Sequence, residues 1–172
     1  MVIVPLDKSL PENEIKSLIQ RSKADAVIFD KKYENVFREI QLDTNCNLKY
    51  EICMDYDDLQ NNILSYKKLL ETGKKSIEDG NKKAYDIKVN PDEMSVMIFT
   101  SGTTSISKAV MLSQKSICTN VNSICSNVKF TENDVALSFL PLHHCFESTA
   151  TLFCRIIFWC NNRLLRWLKT YY

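Results

Sequence analysis

The stretch from Ile98 to Leu112 reads IFTSGTTSISKAVML: an apolar run, then hydroxyl-bearing residues around one glycine, then a lysine and more apolar residues. Polyphosphate is the ligand that suits such a loop. Gly102 lets the backbone approach a bulky anion, and Thr100, Ser101, Thr103, Thr104, Ser105 and Ser107 offer hydroxyl donors. Lys108 adds a compact cation on a long stem. Ser95 to Thr100 follows the breaker cluster Asn90-Pro91-Asp92-Glu93 and reads as a short buried strand leading into the loop. The spacing is not that of the common phosphate loop, which places a second glycine directly before the lysine.

TSGTT followed by KAVMLS resembles the phosphate-binding signature of the adenylate-forming ligases, the family of acyl-CoA synthetases, luciferases and peptide-synthetase adenylation domains. That signature runs Ser/Thr-Ser-Gly-Ser/Thr-Thr-Gly-x-Pro-Lys-Gly. Ser101, Gly102, Thr103, Thr104 and Lys108 match it, whereas Ser105, Ser107 and Ala109 stand in place of Gly, Pro and Gly. The resemblance implies ATP-phosphate contacts from Thr100 through Ser105 and from Lys108. The competing reading is a polar surface loop between two strands.

A second segment lies downstream. Val135 to Leu140 reads as a buried strand, and Pro141-Leu142-His143-His144-Cys145-Phe146-Glu147 follows at its carboxyl end, where ligands collect in open α/β sheets. The segment is similar to the family's Leu-Pro-Leu-x-His-x-x-Glu, in the form seen in long-chain fatty acyl-CoA ligases. By that resemblance His144 and Glu147 are the catalytic candidates, His144 beside the acyl and phosphate region and Glu147 near it. The plain alternative for His144 is a half-buried histidine with satisfied hydrogen bonds. A zinc site built from His143, His144 and Cys145 is disfavoured, because neighbours on an extended chain point to opposite faces, so no metal site is assigned.

Composition places the chain among globular proteins, with 172 residues, 45% hydrophobic and 25% charged. The net charge of +1 gives no argument for a nucleic-acid partner. Seven cysteines without a Cys-x-x-Cys fit reduced, packing thiols and a cytoplasmic location better than a disulfide framework. The first residues carry no basic, apolar leader, and no apolar run reaches the length of a membrane span.

The elements that must position the two segments read as α/β. Val2 to Leu6 predicts a strand. Ser9, with Glu12 three residues on, predicts an N-cap for a helix through Ile15, Leu18 and Ile19 to about Ser22. Ala26 to Phe29 predicts a second strand and, with the first, a βαβ unit. Leu48, Tyr50, Ile52 and Met54 alternate with polar residues, the period of a strand with one wet face. Leu59, Ile63, Tyr66 and Leu70 predict an amphipathic helix stopped by Gly73, and Lys74 to Lys83 a solvated linker. Ser113 predicts an N-cap for a helix whose stripe is Ile117, Val121, Ile124, Cys125 and Val128. The fold expectation is a partial doubly wound, mostly parallel sheet with flanking helices, a piece of an adenylate-forming ligase N-terminal domain.

The resemblance covers residues 1–150; residues 151–172 depart from it. TLFCRIIFWCNNRLLRWLKTYY has four basic residues, no acidic ones and no glycine. The abruptness of that change favours a shifted reading frame over a genuine basic amphipathic helix lying on a membrane, and a tail that packs loosely. The expectation is therefore a fragment, inactive alone, of an ATP-dependent acid–thiol ligase. By resemblance, the full enzyme uses ATP with Mg²⁺ to turn a carboxylic acid, of long-chain fatty type, into an acyl-adenylate and pyrophosphate. The acyl group then passes to CoA or to a carrier-protein thiol.

Overall fold

The computed structural model describes residues 1–43, 46–100, 107–129, 138 and 140–154. Of the expected strand Val135 to Leu140 only Ser138 and Leu140 are among them, and most of the tail lies outside them. The chain divides into two compact units, one formed by Ser9–Val89 and the other by Met1–Lys8 with Asn90–Tyr172.

In the Ser9–Val89 unit, helix α1 spans Glu12–Ser22 and strand β1 Ala26–Phe29; helix α2 spans Glu34–Gln41 and strand β2 Tyr50–Cys53. Strand β3 is Leu64–Ser65 and helix α3 Tyr66–Glu78. The strands form a parallel sheet in the order β1-β2-β3, with Ala26 opposite Tyr50 and Phe29 opposite Cys53. The core gathers Ile15, Leu18 and Ile19 from α1, Phe29 from β1, and Val36, Phe37 and Ile40 from α2. Phe29 and Phe37 meet with ring centroids 4.6 Å apart. Each such burial contributes about 1.5–3 kcal/mol, enough to decide where a short strand or helix settles.

Several expectations change here, each for a local reason. Pro11, not Ser9, caps α1: its fixed φ of −58° holds its carbonyl to accept the Glu14 and Ile15 N–H groups, both at 3.0 Å. The parallel partner of β1 is β2, reached through α2, rather than the chain start; α2 itself was missed in the sequence. The face of β2 is also reversed. Glu51 and Cys53 are buried while Tyr50 and Met54 are exposed, and Glu51 lies within electrostatic reach of Arg38 and Glu34 on α2. The alternation was legible, but not which phase faced the core.

The helix expected over Leu59 to Leu70 begins later, at Tyr66, since Ser65 caps it by accepting the Lys68 N–H at 3.2 Å. Ile63 is buried ahead of it, just before β3. Gly73 lies inside α3 and Glu78 ends it, so part of the expected linker is helical. The stop is Gly80, whose φ of +89° is costly for any other residue. Its N–H reaches the Ile77 carbonyl at 3.0 Å, and Asn81 N–H reaches that of Ser76 at 3.0 Å.

In the other unit, strand β4 (Met94–Thr100) pairs antiparallel with strand β5 (Lys108–Ser113), and helix α4 (Gln114–Asn127) follows. The expected strand Val2 to Leu6 reduces to one parallel bridge, Ile3 to Val96, with Ile3 N–H donating to Ser95 and Met97 N–H to Ile3, both at 2.9 Å. A π-helix covers Glu147–Phe153; Thr151 to Phe153 are half-buried and Cys154 is buried beyond them, so the packed structure continues past residue 150. Among the described residues no helix is long and apolar enough to cross a membrane.

Two side chains in the first unit have opposed electrostatics. Tyr56 donates its hydroxyl to Glu34, which pushes the phenol up to about 12 and, by the same bond, holds the Glu34 carboxyl below its usual range. Glu51 is 3% exposed, its Oε1 has no hydrogen-bond partner among the described residues, and burial raises its carboxyl above the usual range. Such a group favours folding fully below its unfolded pKa, about 4.3, and loses that contribution as pH rises through the folded value. Glu51→Gln is therefore expected to stabilise the protein by about 1 kcal/mol at neutral pH and by much less near pH 4. Urea melts of both proteins at the two pH values check this, and equal stability at neutral pH would refute it. Gly73→Ala, with nothing within 4 Å of the added Cβ, should add roughly 0.5–1 kcal/mol, and Gly80→Ala should subtract stability at its positive φ. Thermal melts in which both substitutions act alike would contradict the assignment of Gly80 as the helix stop.

Candidate functional site

The hydroxyl-rich loop is the turn of the β4–β5 hairpin. The register runs Val96 to Leu112, Met97 to Met111, Ile98 to Val110, Phe99 to Ala109 and Thr100 to Lys108. Thr100 and Lys108 therefore close the ladder as a directly opposed pair, with Ser101 to Ser107 between them. Opposed residues on antiparallel strands project from the same face, so the threonine hydroxyl and the lysine ammonium share one side of the loop's base. Both residues are exposed. Ile98 is 7% exposed and anchors the same face one step down, which fixes the strand's phase. Of the other loop residues assigned to phosphate, Ser101, Gly102, Thr103, Thr104 and Ser105 lie outside the described residues.

The hairpin differs in kind from the common phosphate loop. There the loop runs directly into a helix whose N-terminal N–H groups face the anion. Here it runs into β5, and α4 starts at the strand's far end, roughly 17 Å from Lys108 at the usual rise per strand residue. No helix end directly follows the loop, and the cation at its base is the Lys108 ammonium. The α4 end is used structurally instead. Ser113 Oγ accepts the Ser116 N–H at 3.2 Å, Lys115 N–H donates to the Pro91 carbonyl at 2.9 Å, and the Lys115 ammonium meets Asp92 at 3.0 Å. These bonds tie the base of the hairpin to the turn that precedes it.

The histidine segment is a tight turn leading into the π-helix. His144 N–H donates to the Pro141 carbonyl at 2.9 Å, and the His144 carbonyl accepts the Ser148 N–H at 3.1 Å. The ring Nδ1 accepts the Phe146 N–H at 3.2 Å. That bond assigns the proton of the neutral imidazole to Nε2, making the outer nitrogen a donor. His144 is exposed, not half-buried. His143 turns elsewhere and lies 3.6 Å from Asp7, a pairing across the unit that no sequence signal announces.

Glu147 occupies the first turn of the π-helix, where a carboxylate suits the helix dipole. It is 2% exposed, and its Oε1 has no hydrogen-bond partner among the described residues. Among those residues no three His, Cys, Asp or Glu side chains converge as a metal-binding group.

A parallel α/β sheet with an antiparallel hairpin of this kind is the architecture of adenylate-forming ligase N-terminal domains. The putative long-chain-fatty-acid CoA ligase of Rhodopseudomonas palustris superposes with a TM-score of 0.70 at 17% identity, over 90% of this chain and 36% of that one. The anthranilate CoA ligase AuaEII, solved with anthranoyl-AMP, gives a TM-score of 0.73 at 15% identity, over 89% and 28%. The model of the AMP-binding enzyme family matches residues 1–158, and the chain belongs to that family. Within it the chain is close to the long-chain acyl-CoA synthetases. It is 31% identical to long-chain-fatty-acid–CoA ligase 5 of Rattus norvegicus over 95% of this chain and 25% of that protein. It is 30% identical to long-chain-fatty-acid–CoA ligase 6 of Homo sapiens over 86% and 22%. The chain thus spans about a quarter of the length of these relatives.

Because Ser113 joins the hairpin to α4, Ser113→Ala should cost about 1 kcal/mol, a fall of roughly 2–4 °C in melting temperature. Calorimetry checks it; an unchanged melt would mean that the cap contributes nothing to holding the hairpin.

Proposed function

We propose that this chain supplies the phosphate-loop and acyl-side portion of an ATP-dependent, AMP-forming acyl-CoA synthetase acting on fatty or similarly apolar carboxylic acids. The observation that carries the reading is the Thr100–Lys108 pair closing a hydroxyl-rich hairpin in a member of the AMP-binding family. ATP with Mg²⁺ would supply the α-phosphate that a carboxylate attacks, with pyrophosphate leaving and a CoA or carrier-protein thiol later taking the acyl group. The chain's own part is to hold charge. Lys108 neutralises phosphate oxygens, the hydroxyls of Thr100, Ser101, Thr103, Thr104 and Ser105 donate to them, and Gly102 permits close approach.

His144, with its proton on Nε2, donates a hydrogen bond toward the acyl or phosphate oxygens. Glu147 is the nearby buried carboxylate, and no step is routed through a metal on it. Support for an apolar acid comes from the similarity to long-chain ligases and from the His-x-x-Glu form at His144 to Glu147. The free thiols of the six described cysteines support a cytoplasmic location, and a net charge of +1 gives no argument for a nucleic-acid partner.

Alone, the chain is proposed to be inactive. A second reading, a non-catalytic phosphate-binding module, is favoured by the departures Ser105, Ser107 and Ala109 from the family signature. Phosphate contacts by themselves supply only part of the binding energy of ATP. Calorimetric titration should give ATP an affinity weaker than about 0.1 mM, roughly 5.5 kcal/mol, with tripolyphosphate competing equally. Lys108→Ala should weaken both. ATP–pyrophosphate exchange with a fatty acid by the chain alone would overturn its inactivity, and loss of tripolyphosphate binding altogether would sink the phosphate-loop assignment.

A further inference from the structure

The α4–π-helix contact holds two cysteines that the ligase reading does not use. Val121, 1% exposed, marks the packed side of α4, and Cys125 follows one turn later on that side, half-buried. The π-helix packs against α4, and Cys154, directly after it, is 1% exposed. The Cys154 thiol and Cys125 share a side-chain hydrogen bond, so two free sulfurs face each other across the joint between two helices. The remaining described cysteines are placed differently: Cys118 and Cys145 are exposed, and Cys46 and Cys53 belong to the other unit.

We propose that Cys125 and Cys154 are a reversible dithiol–disulfide site that, when oxidised, clamps the π-helix carrying Glu147 onto α4. With glutathione disulfide as oxidant, the Cys125 thiolate, the more accessible of the two, attacks one glutathione sulfur. This forms a protein–glutathione mixed disulfide and releases one glutathione. The Cys154 thiolate then attacks the Cys125 sulfur, forming the protein disulfide and releasing the second glutathione. The protein loses two electrons and two protons, and glutathione disulfide is reduced to two thiols. Burial, together with the bond to Cys125, pushes the Cys154 thiol up to about 11. The second step is therefore slow at neutral pH and quickens as thiolate forms, which suits a site that responds to sustained rather than brief oxidation.

The test incubates the full chain with glutathione disulfide, blocks residual thiols, and maps cross-linked tryptic peptides by mass spectrometry. Cys118 and Cys125 share one tryptic peptide, and Cys145 and Cys154 another. Fragmentation and variants must therefore assign the pair. Cys118→Ser and Cys145→Ser should keep the cross-link, and Cys125→Ser should abolish it without touching the buried position. The wild-type rate should rise about tenfold from pH 7 to pH 8. Oxidation should also raise the melting temperature by roughly 5 °C, reversed by dithiothreitol. A bond mapped to Cys118 or Cys145, a cross-link surviving in Cys125→Ser, or full glutathionylation without internal bond formation would overturn the proposal. None of these outcomes depends on ATP binding, so the site is judged separately from the ligase reading.

Discussion

Pairing between β4 and β5 is the constraint on which the candidate site depends. The ladder holds the two ends between which the hydroxyl-rich segment runs, at Thr100 and Lys108. Register decides the result: with Ile98 buried, a slip of one residue would send Thr100 and Lys108 to the opposite face. The bridge from Ile3 to Val96 and the cap at Ser113 fasten the base of the hairpin on two sides. The hairpin's far end can then be exposed and polar without losing its position.

The polar groups divide between those with partners and those without. Tyr56 and Glu34 satisfy each other, and His143 has Asp7. Glu51 and Glu147 each keep a buried oxygen without a hydrogen bond among the described residues. Glu51 is buried with its carboxyl raised, mainly by desolvation, so the cost is one of stability. Glu147 lies three residues from His144, in the first turn of the π-helix.

Local chemistry was legible in the sequence wherever one or two residues decide the outcome. Ser113 announced α4, the breakers before Ser95 announced β4, and Ala26 to Phe29 announced β1. What failed was set by partners distant in the chain. The phase of β2 could not be read from its own alternation, α2 was passed over although Val36, Phe37 and Ile40 give it an apolar stripe, and the partner of β1 was β2 rather than the chain start. Gly73 looked like a helix stop because glycine favours ends, yet the hydrogen bonds that close a helix formed at Gly80. The hydroxyl-rich segment suggested polyphosphate by residue type alone, whereas the antiparallel pairing of the strands on either side of it could not be read, since the return of β5 leaves no mark in residue type. The Asp7 and Cys154 contacts were unreadable for the same reason.

The π-helix has a consequence of a different sort. Its wider turn holds one residue more than an α-helical turn would, and such segments are rare and usually brief. Removing a single residue between Ser148 and Phe153 would let the segment relax to α geometry. Because the residue removed is the extra one, what lies beyond the deletion would keep nearly the same direction around the helix axis, moving mainly along it by about one residue's rise. Cys154 would stay on the side that faces α4. This stretch can therefore accept the loss of one residue more readily than an ordinary α-helical turn can, and across related chains single-residue gaps should be found here before they are found in α4.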